Sequence, residues 1–338
     1  MSNIYQSSQP KKIKGLGLCS GGLDSILAGL LLRKQGIDVQ WICFETPFFN
    51  ADKAKEASRF TGIPLIVENI TQIYLKMLMN PKQGYGKNMN PCMDCHVLMF
   101  QCAGQLMPQL GADFLFSGEV LGQRPKSQTL SALNYIEKNS GFQGYIVRPL
   151  SAKYLAQSIP EAKGWVDREQ LSGITGRARK EQISLAQQWG ITDYPNPAGG
   201  CLLTDFQYAT KLKDLFEKGP YHDDRDLYLL KWGRHFRLKD QYKIIIGRNE
   251  EENTQIEQYY IKEQDILLNA LDIPGPLTLI PYGGDQQTIE TASKILLSYT
   301  KSPVHALTKV QCISPNGIAT LQTTPISKDI SKKWMIIS

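Results

Sequence analysis

A serine- and glycine-rich stretch near the N-terminus could bind phosphate. Residues 19–25 read Cys-Ser-Gly-Gly-Leu-Asp-Ser, between an apolar run of strand length and a Leu-rich apolar run. A strand, a glycine turn and a helix N-terminus make a phosphate cradle, because backbone N–H groups and the helix dipole face the anion. Gly21 and Gly22 allow close approach, and Ser20 and Ser25 can donate hydroxyl hydrogens. The stretch therefore predicts a nucleotide-phosphate site.

The loop is not a Walker A motif. That motif needs a Lys after its last Gly, and Leu23-Asp24 stands there instead. The alternative is a plain glycine turn between a buried strand and a helix. Two serines and an Asp in such flanks favour the nucleotide site.

Three cysteines form the second chemical group. Cys92 and Cys95 lie in Asn-Pro-Cys-Met-Asp-Cys-His, and Cys201 follows the Pro- and Gly-rich stretch 195–200. A Cys-x-x-Cys pair at a helix start puts two thiolates within reach of one metal centre, and a loop cysteine adds a third. Structural zinc takes four ligands, so His96 would have to complete a zinc site. Three thiolates on a [4Fe-4S] cluster would instead leave one iron open to bind sulfide.

The remaining cysteines are predicted to be ordinary buried thiols, as free cysteines commonly are. They are Cys19, Cys43, Cys102 and Cys312. Asp94 and His96 flank the Cys-x-x-Cys pair and are predicted to be surface residues at the helix start. Seven cysteines at uneven spacing, with no export signal, argue against a disulfide framework.

The elements that must position these groups alternate between strands and helices. Strands are predicted at 13–18, 39–44, 64–68, 113–118 and 145–150. This alternation predicts an α/β fold with a doubly wound parallel sheet. Ligands of such sheets bind beyond the carboxyl ends of the strands. We therefore expect the phosphate loop, Phe44–Phe49 and Ser117–Arg124 to line one crevice.

The character of the sequence changes near residue 205. A predicted helix at 206–218 ends at Gly219-Pro220. Short strands are predicted after it, at 242–247, 277–280, 304–312 and 334–337. We expect a catalytic domain over 1–204 and a separate α+β domain over 205–338.

Bulk composition is typical of a globular protein. The 338 residues are 42% hydrophobic and 21% charged, which predicts two or three domains. No apolar run approaches the length of a membrane span, and the polar N-terminus lacks the apolar stretch of a signal peptide. We therefore predict no membrane association and a cytoplasmic location. The net charge of +6 is compatible with a nucleic-acid partner without requiring one.

The loop Ser-Gly-Gly-Leu-Asp-Ser resembles the signature of the PP-loop ATP pyrophosphatases, whose fold is adenine nucleotide alpha hydrolase-like. Together with Asn-Pro-Cys-Met-Asp-Cys-His and Cys201, it resembles the tRNA thiouridine synthases of that group, over residues 13–204. The resemblance implies that ATP, with Mg²⁺, adenylates a uridine carbonyl oxygen of tRNA and that sulfur then replaces this oxygen. Sulfide or a cysteine desulfurase would donate the sulfur.

The resemblance also implies roles for individual residues. Catalysis is assigned to Asp24 and to the three cysteines Cys92, Cys95 and Cys201, which are also the predicted metal ligands. The predicted nucleotide-binding residues are Ser20, Gly21, Gly22, Leu23, Asp24, Ser25, Phe44, Thr46, Phe48 and Gly118.

Two subtypes of the family differ in how sulfur is carried. The persulfide subtype has Asn-Pro-Asp-x-x-Cys and a second catalytic Cys, whereas the other holds a [4Fe-4S] cluster on Cys-x-x-Cys and a distant Cys. This sequence keeps Asn90-Pro91 but has Cys92 where the persulfide subtype has Asp. The ligand count favours the cluster, and the persulfide route remains the alternative.

Basic residues are the candidates for RNA contacts. In the first domain they are Arg124, Lys126, Arg177, Arg179 and Lys180. Residues 231–252 resemble the RNA-binding domain of NFACT proteins, which implies phosphate contacts from Arg234, Arg237, Lys243 and Arg248. A strand pair with solvated charges is the alternative for that segment.

Two other functions compete with tRNA thiolation. One is a PP-loop amidotransferase or ligase acting on a small molecule, which needs neither a cluster nor an RNA-binding domain. The other is a zinc-stabilised RNA-binding protein with no enzymatic activity.

Overall fold

The structure is a computed structural model that describes residues 12–192, 194, 201–219 and 223–337. The chain divides into two compact units, Met1–Cys201 and Leu202–Ser338. Each unit has its own β-sheet. Among the described helices, none is both long enough and apolar enough to cross a membrane.

The first unit alternates strands with helices. Its strands are β1 (Lys14–Leu18), β2 (Asp38–Glu45), β3 (Leu65–Asn69), β4 (Phe114–Ser117) and β5 (Ile146–Val147). Its helices are α1 (Leu23–Lys34), α2 (Asp52–Thr61), α3 (Thr71–Met79), α4 (Cys92–Leu110), α5 (Leu130–Ser140), α6 (Ile159–Ala162) and α7 (Lys180–Gln188). All strand pairs are parallel, in the order β3-β2-β1-β4-β5. The predicted α/β fold is confirmed.

The central strand β1 is built from small and apolar residues. Leu16 is fully buried and pairs with Gln40 on β2 and Leu115 on β4. A Cβ added at Gly17 would lie 2.1 Å from the ring of Phe116. Glycine at this position therefore lets the ring pack directly against the strand backbone.

The second unit is an antiparallel sheet with helices. Its helices are α8 (Phe206–Lys218), α9 (Asp224–Leu229), α10 (Glu250–Gln258), α11 (Gln286–Leu297) and α12 (Lys328–Lys332). Its strands are β6 (Arg234–Leu238), β7 (Tyr242–Ile246), β8 (Ile266–Ala270), β9 (Thr278–Ile280), β10 (Thr308–Ser314) and β11 (Gly317–Thr323). They lie in the order β11-β10-β8-β9-β7-β6. The predicted C-terminal α+β character is confirmed.

Both faces of the inner strands of this second sheet are buried, whereas the edge strand β11 is mostly exposed. Along β7, Ile244 and Ile246 join one core cluster with α11 residues, whereas Ile245 joins another with Leu229 and Ile256. Neighbouring strand residues point to opposite faces, so helices cover the sheet on both sides.

Some predicted boundaries are wrong. No strand forms over 334–337 in this part of the described chain: Met335 makes one isolated bridge with Phe236. The strand predicted from Val304 begins at Thr308. The predicted loop at 195–200 lies outside the described residues.

Candidate active site

The phosphate loop lies between β1 and α1. Gly21 has φ +71°, and a Cβ there would lie 2.2 Å from the Lys53 backbone, so only glycine fits. The Ser25 hydroxyl donates to the Gly22 carbonyl at 2.8 Å and fixes the turn. Gly22 is the N-cap of α1 and makes no side-chain capping bond, which leaves the first N–H groups of α1 for an anion.

The end of β4 lies against this loop. A Cβ added at Gly118 would be 2.4 Å from the Asp24 backbone carbon, so this glycine permits the contact. The nearest described atom to a Cβ at Gly22 is the Ser20 hydroxyl oxygen, at 3.4 Å. The loop therefore has no room for a side chain at Gly21, whereas a Cβ at Gly22 would meet no described atom closer than 3.4 Å.

Polar and basic side chains surround Asp24. Gln123 Nε2 donates to Asp24 Oδ2 at 3.1 Å. Burial raises the pKa of Asp24, and Gln123, Arg179 and Arg124 partly oppose this shift. Arg124 and Arg179, both predicted to bind RNA, thus lie close enough to Asp24 for their charges to lower its pKa. The other three predicted RNA contacts, Lys126, Arg177 and Lys180, are exposed.

The carboxyl end of β2 turns back on itself. Thr46 and Phe49 exchange two backbone hydrogen bonds, of 3.0 and 3.2 Å. Phe44, Thr46 and Phe48 are all buried. The rings of Phe48 and Phe49 pack 5.6 and 5.4 Å from the ring of Tyr74, measured between centroids. Phe48 therefore faces α3, and its predicted contact with the nucleotide stays a prediction.

Tyr74 links this turn to the thiols. Its hydroxyl hydrogen-bonds to Cys95, and the charges of Cys95, Cys201 and Cys92 all act on it. Burial above all, together with the neighbouring thiols of Cys201 and Cys92, raises the pKa of Cys95 to about 12 against the lowering effect of the Tyr74 hydrogen bond. The thiols of Cys92, Cys95 and Cys201 therefore all lie within electrostatic range of the Tyr74 hydroxyl. The sequence offered little signal for Tyr74, which sits among apolar residues of a short helix.

The three cysteines are not arranged to bind a single metal ion. Among the described residues, no group of three or more His, Cys, Asp or Glu side chains is arranged to hold one metal ion. In a four-iron cluster each cysteine binds a different iron. Cluster ligands therefore stand further apart than the ligands of one zinc ion.

Residues flanking the cysteine pair are more buried than predicted. Asp94 is 6% exposed and accepts the Gln83 N–H at 2.8 Å, so it anchors the loop before α4. His96 is half-buried, and its Nδ1 lies 2.7 Å from Glu119 Oε1. The surface assignment of both residues is wrong, because contacts distant in sequence cover them. Asn90 Nδ2 donates to the Cys92 sulfur at 2.9 Å.

A buried network of ion pairs connects His96 on α4 to Glu119 and Arg148. Glu119 binds Arg148 Nε at 2.9 Å, and Arg148 also binds Glu137 at 2.9 Å. Burial alone would raise the pKa of Glu119, but Arg148 and His96 lower it to about 2. Glu119 therefore remains ionised and ties the first turn of α4 to the sheet.

Four basic residues of the second unit are predicted to contact RNA phosphates. In the structure the charged groups of two of them are buried and the other two residues line a cavity. Arg237 is buried and forms an ion pair with Asp214 on α8. The Lys243 ammonium is buried and, through burial above all, its pKa falls to about 7. The ion pair with Asp214 withdraws Arg237 from phosphate, whereas the phosphate contact of Lys243 stays a prediction. Arg234 and Arg248 instead line a cavity.

Two family models match this chain. Residues 11–163 match the thiamine biosynthesis protein (ThiI), and residues 233–335 match the NFACT protein RNA binding domain. The first match covers the phosphate loop and the Cys-x-x-Cys pair. The second covers the sheet of the second unit.

Curated relatives carry names of tRNA-thiolating proteins. The tRNA-specific 2-thiouridylase MnmA 2 of Thermoanaerobacter sp. (strain X514) is 25% identical over 240 residues, which are 62% of each chain. The probable tRNA sulfurtransferase of Halothermothrix orenii is 33% identical over 147 residues, 41% of this chain and 35% of that protein. The chain thus spans about three fifths and about a third of these relatives.

Solved structures are more distant. A protein described as a predicted subunit of tRNA methyltransferase, from Methanocaldococcus jannaschii, is 16% identical over 63% of this chain and 91% of its own, with a TM-score of 0.38. The NMN synthetase of Francisella tularensis is 14% identical over 56% of this chain and 91% of its own, with a TM-score of 0.27. The fold assignment rests on strand order, and the family matches confirm the resemblance to PP-loop proteins of tRNA thiolation.

Proposed function

We propose that this protein is an ATP-dependent tRNA sulfurtransferase that converts a uridine carbonyl to a thiocarbonyl. The observation that carries the proposal is that the carboxyl ends of two neighbouring parallel strands hold an open phosphate loop, after β1, and a turn packed on the thiol-bonded Tyr74, after β2. Cys95 hydrogen-bonds to Tyr74, and Cys92 and Cys201 lie within electrostatic range of it. One crevice can therefore activate a carbonyl and supply sulfur to it.

The loop would hold the phosphates of ATP. Backbone N–H groups of Gly22 and of the first turn of α1 would face the anion. Asp24 would hold Mg²⁺, and Arg124 and Arg179 would neutralise the leaving pyrophosphate. The uridine oxygen attacks the α-phosphorus and displaces pyrophosphate. Sulfur then attacks the carbon, the carbon–oxygen bond breaks, and AMP leaves with the oxygen.

The thiols fit a [4Fe-4S] cluster by their chemistry. Cys95 has a pKa of about 12 because burial and two adjacent thiols oppose a bare thiolate. Metal binding stabilises thiolates, so such crowding suits a cluster held by Cys92, Cys95 and Cys201. When bound, the cluster would supply an open iron for sulfide.

The RNA partner would be tRNA, with sulfide or a cysteine desulfurase as the sulfur donor. The match of the second unit to an RNA-binding domain supports this choice over a small-molecule ligase. A ligase or amidotransferase would use the adenylate on a free metabolite and would need no such unit.

Cysteine variants of protein purified without oxygen test the proposal. Iron content and ATP-dependent thiouridine formation on total tRNA are measured for Cys92→Ala, Cys95→Ala and Cys201→Ala. We expect each variant to lose both iron and thiolation while retaining ATP binding, because a cluster needs all three thiolates. Cys102→Ala on the same helix is the matched control and should keep both.

Two outcomes would contradict parts of the proposal. Active wild-type protein without iron, with a persulfide on Cys201, would establish the persulfide route. Pyrophosphate release that tRNA does not stimulate, with no thiouridine formed, would point to a small-molecule substrate.

A further inference from the structure

A cavity of about 180 Å³ in the second unit is lined by basic side chains. Its walls include Lys211 on α8, Arg234 and His235 on β6, and Arg248. Met335 and Ile337 add apolar surface. A small cavity lined by one lysine and two arginines is suited to an anion, since opposite charge offsets the mutual repulsion of the cations.

Lys211 is the central residue of this cavity. It is 7% exposed, and its ammonium donates to the carbonyls of Leu230 at 3.1 Å and Gly233 at 3.2 Å. No ion pair formed within the described part of the chain includes Lys211. An ammonium has three N–H donors. One N–H of a buried cation is therefore left for a ligand in the cavity.

The electrostatics of Lys211 agree with this geometry. Burial above all, together with the charge of Arg248, lowers the pKa of its ammonium to about 8. Glu252 and Asp205 oppose the shift without cancelling it. A bound anion would restore the charged form.

The two arginines are held in place by other contacts. The Arg234 guanidinium lies 4.5 Å from the centroid of the Tyr299 ring, and one nitrogen donates to the Gly247 carbonyl at 3.4 Å. Arg248 binds Glu252 through Nε and Nη2. This pair is close to neutral, so Lys211 and Arg234 provide the net positive charge. Each guanidinium has five N–H donors, which exceeds the bonds described for either.

We propose that this cavity binds one phosphate group of the RNA backbone, with Lys211, Arg234 and Arg248 as donors. A phosphate has several oxygens around one centre and can bond to donors from three directions at once. The inference rests on the proposed function, because that function brings tRNA to the protein. It gives this role to residues of the cavity and not to Arg237, which is paired with Asp214.

The test compares full-length variants in tRNA binding over a series of salt concentrations. Lys211→Met removes the buried ammonium at nearly the same volume, and Arg234→Gln removes the second charge. We expect each to weaken tRNA binding and to reduce the slope of log K against log salt, by at most roughly 0.7 to 0.9, the value for complete loss of one phosphate contact. Lys213→Met is the control, since Lys213 is exposed on the same helix and pairs with Glu217.

Further measurements separate the sources of phosphate and the two proposals. Inorganic phosphate that binds wild-type protein, while both variants keep the wild-type salt slope, would overturn the RNA assignment. Wild-type protein that thiolates tRNA, with both variants keeping the wild-type slope, would overturn the inference alone. Variants that lose RNA affinity, beside a wild-type protein that forms no thiouridine, would support the inference and contradict the proposed function. Circular dichroism checks folding, and Arg234→Gln carries the test if Lys211→Met does not fold.

Discussion

The thiols of Cys19 and Cys95 both have raised pKa values, but the groups around them differ. Burial raises the pKa of Cys19 to about 11, and its sulfur accepts the Gly21 N–H at 3.4 Å, so it supports the phosphate loop from behind. Burial also raises the pKa of Cys95, but two further thiols lie beside it. Packing alone accounts for Cys19. Around Cys95, the neighbouring thiols disfavour its ionised thiolate form. A bound metal centre would stabilise these thiolates.

Gly22 allows the nucleotide site to be tested with little disturbance of the fold. Its φ is −78° and its ψ is 158°, which any residue can adopt. We expect Gly22→Ala to leave the Tm unchanged and to weaken binding of a non-hydrolysable ATP analogue about tenfold, or by about 1.4 kcal/mol. The physical reason is that the methyl group occupies the space in front of the loop. Calorimetric titration measures the affinity.

Gly21→Ala is the contrasting variant. It should lower the Tm, because Gly21 has a positive φ and lies against the Lys53 backbone. A Gly22→Ala protein that binds the analogue as tightly as wild type would show that phosphate does not approach this residue.

Glu119 should give stability a specific pH dependence. Its pKa is lowered from 4.5 to about 2 in the folded protein, where Arg148 and His96 outweigh burial. A carboxylate of this kind stabilises the fold above its unfolded pKa, and the contribution is lost as pH falls through the folded pKa. We expect Glu119→Gln to cost about 3 kcal/mol at pH 7, since it removes a partner of buried Arg148. The difference from wild type should shrink as pH falls from 4.5 to about 2.

Urea unfolding at several pH values measures this difference. Exposed Glu68→Gln is the control and should show no such trend. A Glu119→Gln deficit that stays constant over the whole pH range would mean that lost packing, not charge, causes the effect.

At the scale of elements, α4 connects the thiols to the interior of the first unit. Cys92 and Cys95 lie in its first turns, and Gly104 lies further along. A Cβ at Gly104 would lie 1.9 Å from the ring of Phe142. The glycine therefore sets how closely α4 approaches the segment after α5, and with it the position of the cysteine pair.

Gly104→Ala should show the strength of this constraint. In an exposed helix, Gly→Ala stabilises by up to about 1 kcal/mol. We expect the opposite sign here, a loss of about 2 kcal/mol, because the added methyl overpacks a filled contact. Urea unfolding measures it, with exposed Gln105→Ala as a control expected within about 0.5 kcal/mol of wild type. A stabilised Gly104→Ala protein would contradict the tight contact.

At the scale of the whole molecule, each unit has its own hydrophobic core. The second unit buries both faces of the inner strands of its sheet among its own residues. We therefore expect a fragment spanning 202–338 to unfold cooperatively and to bind RNA in the absence of ATP. Circular dichroism and gel-shift assays measure these properties. A fragment without a thermal transition would show that its core depends on the first unit.

The sequence alone determined the features that depend on local chain properties. Two glycines between an apolar strand and an apolar helix specify a phosphate loop, because backbone freedom and helix polarity are local. The alternation of strands and helices likewise specified the parallel sheet. The cysteine pair was recognisable because its spacing matches one helical turn.

Tertiary structure decided which distant groups meet. It brought Cys201 within electrostatic range of Tyr74, buried Asp94, half-buried His96 against Glu119, and turned Arg237 inward to Asp214. A side chain's exposure and its ionic partners depend on segments far away in the chain, so no local pattern encodes them. The C-terminal segment shows the same limit, since residues 334–337 are predicted to form a strand but contact β6 only through one bridge and a few backbone hydrogen bonds.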